Sequence, residues 1–289
     1  MARTRRRGLA FVAAALAAGA VACATNPATG SRQVSLISED QEVSVGRTSD
    51  TQIRKEMGVY GDAQIQDYVA RVGLELARVS ERPNLPWQFT VLDVPAINAF
   101  ALPGGYVYIT RGILPFLRDE SELAGVLGHE IGHVTARHGA QQYSRMAGAS
   151  VGLLLSSIFV PQMSPFAGLG ENGLSLMLLK YGRDDERQAD DLGVRYAGRA
   201  GWDPAGVQGM LTTLARIEAA SDSRGVPNWL STHPQPADRA ERVEASLQTA
   251  SRTSAPRPGS SHEDFAKRLD GLTFGDNPKD GVVRDNLFL

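Results

Sequence analysis

The hydrophobic pattern changes period several times along the chain, and each change marks an element. Residues 39–57 and 62–80 read as helices. Trp87–Leu92 and Tyr106–Thr110, rich in aromatic and β-branched side chains, read as strands, and Asn98-Ala99-Phe100-Ala101 runs into a turn at Pro103-Gly104-Gly105. Leu123, Val126, Leu127 and Ile131 then recur at helical spacing behind Asp119 or Ser121, either of which can cap, so an amphipathic helix is expected there. An acidic helical run follows at residues 181–191, then helices at Pro204–Ala220 and after Pro236. This order predicts a helix-rich α+β fold with one small sheet.

The N-terminus bears on compartment. Arg3, Arg5, Arg6 and Arg7 precede an apolar run from Leu9 to Ala22, the pattern of an export signal, so residues 1–22 are expected to be removed. Ala20-Val21-Ala22-Cys23 resembles a bacterial lipobox, and Cys23 is the only cysteine. A lone cysteine cannot close an intramolecular disulfide, which leaves lipid attachment as its most economical role, against a plain signal-peptide cysteine. Ala24, by resemblance to Gram-negative sorting rules, points to the outer membrane and hence to a lipid-anchored periplasmic protein. Residues 23–38 then read as a tether.

Composition narrows the rest. Residues 39–250 are long enough for one domain with a sizeable core. The linker-like stretch 251–261 separates them from a tail, 262–289, in which Ser261 and Asp264 can cap a short helix. Losing residues 1–22, with four arginines and no acidic residue, takes the formal charge from −2 to −6, which argues against nucleic-acid binding. Met146–Leu179 is an apolar insert whose uninterrupted part falls short of the roughly 20 residues needed to span a bilayer. Its Pro and Gly breaks favour a lid or plug, with a buried core helix or a membrane-surface contact as alternatives.

The chemistry concentrates in G-H-E-I-G-H-V-T-A-R-H. His129 and His133 stand four apart on the expected helix, so both imidazoles share a face and can reach one metal ion, with Glu130 better placed as base than as ligand. In the metzincin pattern a third histidine follows six residues after the second with glycine midway; Gly139 and Ala136 hold those places, and His138 is out of register. Glu186 in Y-G-R-D-D-E-R-Q-A-D-D is the leading candidate for the third ligand, and Asp190, four residues on, would accept the free N–H of a ligating histidine. A solvated, salt-bridged helix face made by residues 183–187 remains the competing reading. The single cysteine, and an expected lack of a nucleophilic-serine elbow, agree with metal-assisted hydrolysis without a covalent enzyme intermediate.

Taken in order, N-P-A-T-G-S-R-Q-V, N-A-F-A-L-P-G-G-Y-V-Y-I-T-R-G, H-E-I-G-H-V-T-A-R-H, E-R-Q-A-D and S-T-H-P-Q-P-A-D-R resemble the zinc peptidases of the HtpX, BepA and CAAX prenyl endopeptidase family, over most of residues 25–250. The resemblance implies a zincin-like endopeptidase with one Zn2+ held by His129, His133 and Glu186, Glu130 as general base and Asp190 supporting a ligand. It implies unfolded or misfolded envelope polypeptides as substrates, with the envelope assembly machinery as a further partner and the membrane reached through the N-terminal lipid. A latent or chaperone-like binding protein is the alternative. His233 has two competing roles, hydrogen bonding to the oxyanion or approaching the metal as a fourth ligand that holds the site latent, as is thought of some relatives; Arg239 is a weaker oxyanion candidate. Family likeness also favours the strand at Asn98, Ala99, Phe100 and Ala101 as an edge that pairs with substrate, against an ordinary hairpin.

Overall fold

A computed structural model describes residues 23–145, 180–220, 229, 232–249, 261–273, 275, 281–284 and 287–288. The expected export signal, the apolar insert and the stretch 251–260 of the linker lie outside the described residues. The elements run β1 (Cys23–Thr25), β2 (Arg32–Val34), α1 (Glu39–Met57), α2 (Ala63–Arg78), β3 (Gln88–Leu92), β4 (Ala99–Leu102), β5 (Tyr106–Thr110), α3 (Glu120–Thr135), α4 (Arg183–Ala200), α5 (Ala205–Ala220), α6 (Pro236–Thr249), α7 (His262–Arg268), β6 (Val283–Arg284) and β7 (Leu287–Phe288). Helix dominates, beside one three-stranded sheet, as the hydrophobic pattern predicts.

Side chains at the helix starts fix the boundaries. Ser38 and Gln41 form a reciprocal capping box at α1, the Asp62 carboxylate accepts from the N–H groups of Gln64 and Ile65 at α2, and Asp119 accepts from Glu122 N–H at 2.9 Å to open α3. At the other end of α4, Gly201 takes φ +88° as a C-terminal cap. Trp202 is thereby turned into the core, where its indole N–H donates to Glu120 at 2.9 Å.

The sheet has the order β3-β5-β4, with β3 parallel and β4 antiparallel to β5. β5, Tyr-Val-Tyr-Ile-Thr, is central and buried at every residue, which explains its unbroken run of aromatic and β-branched side chains. Among the described strands β4 lies at an edge of the sheet. The turn joining β4 to β5 is pressed against α1: a Cβ on Gly104, at φ +86°, would stand 2.6 Å from the Cα of Val43.

α3 departs from the expected amphipathic helix. Every residue but Ser121 is buried, because α4 and α5 pack on it from one side and α2 and the sheet from the other. Three buried polar residues, His129, Glu130 and His133, therefore sit in the middle of the hydrophobic core, where only mutual pairing or a metal makes them tolerable.

Residues 23–38, read as a tether, form a hairpin and pack on the body. β1 and β2 pair antiparallel, and Ser35 and Ile37 are buried against the stretch after α3. Leu36 N–H donates to Ser144 Oγ at 2.8 Å and Arg137 to the Ile37 carbonyl at 2.7 Å. The tail likewise joins the main core through Phe265, Leu269, Leu272 and Val283. Among the described residues no helix is long and apolar enough to cross a membrane.

Candidate metal centre

The site is built where α3 crosses α4. The two helices touch backbone to backbone because small residues line the crossing: a Cβ on Gly128 would stand 3.2 Å from Gly193 Cα, and one on Gly132 only 2.9 Å from the Ala189 carbonyl oxygen. His129 and His133 project from α3 toward Glu186 and Asp190 of α4, each pair four residues apart on its helix. A third piece comes from α6 and the residues just before it, which contribute Arg239 and His233.

His129, His133, Glu186 and His233 form a buried group able to hold a metal ion, with one donor atom from each lying within 4.8 Å of the others. His133 Nε2 is 3.1 Å from His129 Nε2 and 3.5 Å from Glu186 Oε1; His129 Nε2 is 3.7 Å from Glu186 Oε2. His233 Nδ1 lies 3.3 Å from His129 Nε2 and 2.9 Å from Glu186 Oε1. Bonds of roughly 2.0–2.1 Å in a tetrahedron put neighbouring donors about 3.3–3.4 Å apart. The spacings fit that geometry, and three imidazole nitrogens with one carboxylate suit zinc.

The surroundings also fit. His129 Nδ1 donates to Asp190 Oδ1 at 3.0 Å, and His133 Nδ1 lies 2.9 Å from His138 Nδ1, so both rings are held from behind with Nε2 facing inward. Arg239 grips Asp190 with two hydrogen bonds, 2.9 and 2.6 Å, and stands 2.5 Å from Glu186 Oε2 with its other amino group, close in charge although not aligned as a hydrogen bond. Among the described residues neither oxygen of Glu130 has a hydrogen-bond partner, although the residue is buried; His233 Nε2 stands 3.7 Å from its Oε1. A buried carboxylate left in this way is costly unless a ligand completes it.

Electrostatics separate the two glutamates. Burial pushes the Glu130 carboxyl up, more than the nearby His233 and His129 pull it down. Burial acts on Glu186 too, yet there the nearby His233 and Arg239, with a hydrogen bond from His233, outweigh it and hold the carboxyl well below the usual range. Burial keeps His133 and His138 below the ordinary imidazole value, so both are neutral near pH 7. For His233 the effect of burial is overcome by Glu186 and Glu130, which raise it.

Two aromatic walls were not foreseen. Tyr181 stacks on His133 with ring centroids 3.9 Å apart, and Trp229 stacks on His233 at 4.7 Å, with the Arg239 guanidinium 5.5 Å from the Trp229 ring centroid. Tyr181 opens the acidic run and Trp229 precedes His233 by four residues, but an isolated aromatic has no periodic signature. His138 backs His133 and meets Gln188 Oε1 at 2.8 Å.

Among the other expected residues, Asn98 lies just before edge strand β4, with Asn98 N–H bonded to Thr110 Oγ1, and Ala99, Phe100 and Ala101 lie within it. Ala101 and Leu102 share a shallow cleft with His133 and Tyr181. Cys23 begins β1, paired through its backbone with Val34. Contrary to the expected lack of a serine elbow, Gly148-Ala149-Ser150-Val151-Gly152 matches G-x-S-x-G; it lies outside the described residues. The chain's five histidines offer it little, since four gather at the centre above and His262 sits against the Arg118 carbonyl.

Comparison with known proteins agrees with this geometry. The profile of peptidase family M48 matches residues 63–247. The beta-barrel assembly-enhancing protease of Yersinia pestis is 31% identical over 252 residues, 83% of this chain and 50% of that protein, and its Escherichia coli K12 counterpart 31% over 246 residues, 80% and 50%. The mitochondrial metalloendopeptidase OMA1 of Schizosaccharomyces pombe is 34% identical over 207 residues, 68% of this chain and 59% of that protein. The chain thus spans about half the length of the beta-barrel assembly-enhancing proteases it matches. With the family profile running from α2 to α6 across every donor of the buried metal-holding group, this chain belongs to peptidase family M48.

Proposed function

We propose that the chain is a zinc endopeptidase that hydrolyses peptide bonds of misfolded or unassembled cell-envelope proteins. The observation that carries the reading is the buried set of His129, His133 and Glu186 donors at tetrahedral spacing beside a buried Glu130 that has no hydrogen-bond partner among the described residues. Zinc held there supplies Lewis acidity, polarising the scissile carbonyl and making water acidic enough to attack near neutral pH. Glu130 takes the water proton and returns it to the leaving amine; its raised affinity for a proton suits that exchange. Asp190, held by Arg239, keeps His129 in the tautomer whose Nε2 is free. Arg239 is the weaker of two groups for steadying oxyanion charge, since its guanidinium is already committed to Asp190 and Glu186.

Substrate is proposed to add as a strand along β4 at Asn98–Ala101, because that edge borders the cleft with His133 and backbone pairing accepts any side-chain sequence. The names of the Yersinia pestis and Escherichia coli relatives support a place in beta-barrel assembly, and with it a partner in the envelope assembly machinery. Attachment to the outer membrane through a lipid on Cys23 completes the proposal.

A second reading, a site held closed, is favoured by His233 Nδ1, which is within a tetrahedral edge of both His129 and Glu186. In that state His233 would help hold the metal beside His129, His133 and Glu186, and would have to withdraw before water and substrate could enter. Metal analysis of purified protein together with cleavage of casein, with and without chelator, tests both: zinc with chelator-sensitive cleavage supports the open enzyme, zinc without cleavage the closed one, and active, metal-free protein would refute the proposal.

A further inference from the structure

The motif Asn26-Pro27-Ala28-Thr29-Gly30 has no part in the chemistry above, yet it touches the centre. It makes the turn between β1 and β2: Asn26 N–H donates to the Ser31 carbonyl at 2.7 Å, and Gly30 N–H to the Asn26 carbonyl at 2.8 Å. The Asn26 side chain is buried, and its Oδ1 accepts from the N–H groups of Ala28 and Thr29 at 2.9 and 3.3 Å. With its oxygen engaged, the amide can offer only Nδ2 hydrogens elsewhere. These face Gln188 at 3.2 Å, so the Gln188 atom that receives them is the acceptor Oε1.

The same Gln188 oxygen lies 2.8 Å from His138 Nε2, which fixes the proton of a neutral His138 on that nitrogen and leaves Nδ1 as a lone pair. Asp185 Oδ1, 3.8 Å from the same nitrogen, favours the same tautomer. His138 Nδ1 is 2.9 Å from His133 Nδ1, and two ring nitrogens so close share one hydrogen. That hydrogen belongs to His133 Nδ1, so His133 Nε2 turns a lone pair toward His129 and Glu186. Arg137, in the left-handed region at φ +60°, reverses the chain that carries His138 back, and is held there by Glu42 at 2.5 Å and the Ile37 carbonyl.

We propose that Asn26, Gln188 and His138 are positioning residues of the metal centre, a relay through which the N-terminal turn decides which nitrogen of His133 is free to bind zinc. The proposal rests on His133 being a metal ligand. The two histidines of the motif are then oriented differently: His129 by the carboxylate of Asp190, His133 by a neutral chain that ends in a residue 162 positions from Gln188.

Asn26→Asp tests it with a near-isosteric change. The carboxylate still accepts from Ala28 and Thr29 but no longer donates, so Gln188 must turn its amide nitrogen to it, His138 must carry its proton on Nδ1, and His133 must protonate Nε2. In the full chain we expect zinc affinity, measured by competition with a chelator, to fall about tenfold, with the melting temperature of the metal-free protein retained and the 15N histidine spectrum reporting the proton of His133 moved to Nε2. Gln188→Leu, which removes the acceptor altogether, is expected to weaken zinc binding and leave His138 a mixture of tautomers. Wild-type zinc affinity in both variants, with His133 still protonated on Nδ1, would overturn the relay. A wild-type chain that takes up no zinc would instead overturn the metal reading and this inference with it, a result distinct from intact binding in the variants.

Discussion

Gly132 and Ala189 meet where the motif helix crosses its partner, so closely that a Cβ on Gly132 would stand 2.9 Å from the Ala189 carbonyl oxygen and 3.1 Å from its Cα. That contact is backbone, so no rotamer change relieves an added side chain. Gly132→Val is expected to destabilise the fold by about 1–3 kcal/mol or more and, by parting the helices, to weaken zinc binding although no donor is altered. Urea unfolding and chelator competition measure the two effects; a stable variant with unchanged zinc affinity would show that the crossing does not set the site.

Glu130→Gln keeps the shape of the side chain and removes its basicity. Zinc should remain, and casein cleavage should fall by about 10²–10⁴-fold, whereas His133→Ala should lose both metal and activity. Wild-type turnover by the Gln variant would remove Glu130 from the mechanism.

Replacing His233 separates its two roles. Since its Nδ1 stands 2.9 Å from Glu186 Oε1 and 3.3 Å from His129 Nε2, His233→Ala is expected to speed cleavage by opening the fourth position. Abolished cleavage with zinc retained would assign it to the oxyanion instead.

Asp190 is fully buried between His129 and Arg239. Asp190→Asn leaves Arg239 with a neutral partner, and the expected cost is about 3–5 kcal/mol of stability together with a 10–100-fold loss of zinc affinity. Thermal melts and metal titration check these separately.

Glu130 also makes a prediction about pH for the chelated protein. Its carboxyl is raised by burial, so ionisation is disfavoured in the fold relative to the unfolded chain. The contribution of the neutral acid to stability is complete below the unfolded carboxyl value of roughly 4.3 and is lost as pH rises through the raised folded value. Chelated Glu130→Gln should therefore melt progressively higher than chelated wild type as pH increases through that window, and the gap should level off toward acid. A gap independent of pH would mean that the carboxyl titrates normally.

Much of this was legible locally. The cap at Asp119 and the i, i+4 spacing of His129 and His133 mark a helix with two imidazoles on one face, and Tyr106–Thr110 announces a strand, because such features depend on neighbours a few residues away. The competing view of residues 183–187 as a solvated face fails at Glu186, which is buried against the histidines. What stayed hidden depends on distant partners: the parallel pairing of β3 with β5, the burial of the motif helix on all sides, Tyr181 and Trp229 as walls, and the return of Asn26 to Gln188. Side-chain periodicity carries no record of such meetings.

The centre draws its parts from places far apart: His129 is 61 residues from Asp190, 104 from His233 and 110 from Arg239. Closing loops of that size costs entropy before any contact repays it. Ion capture is therefore expected as a late event in the maturation of the polypeptide, after most of the body has assembled, so that nascent or half-formed chains hold no ion.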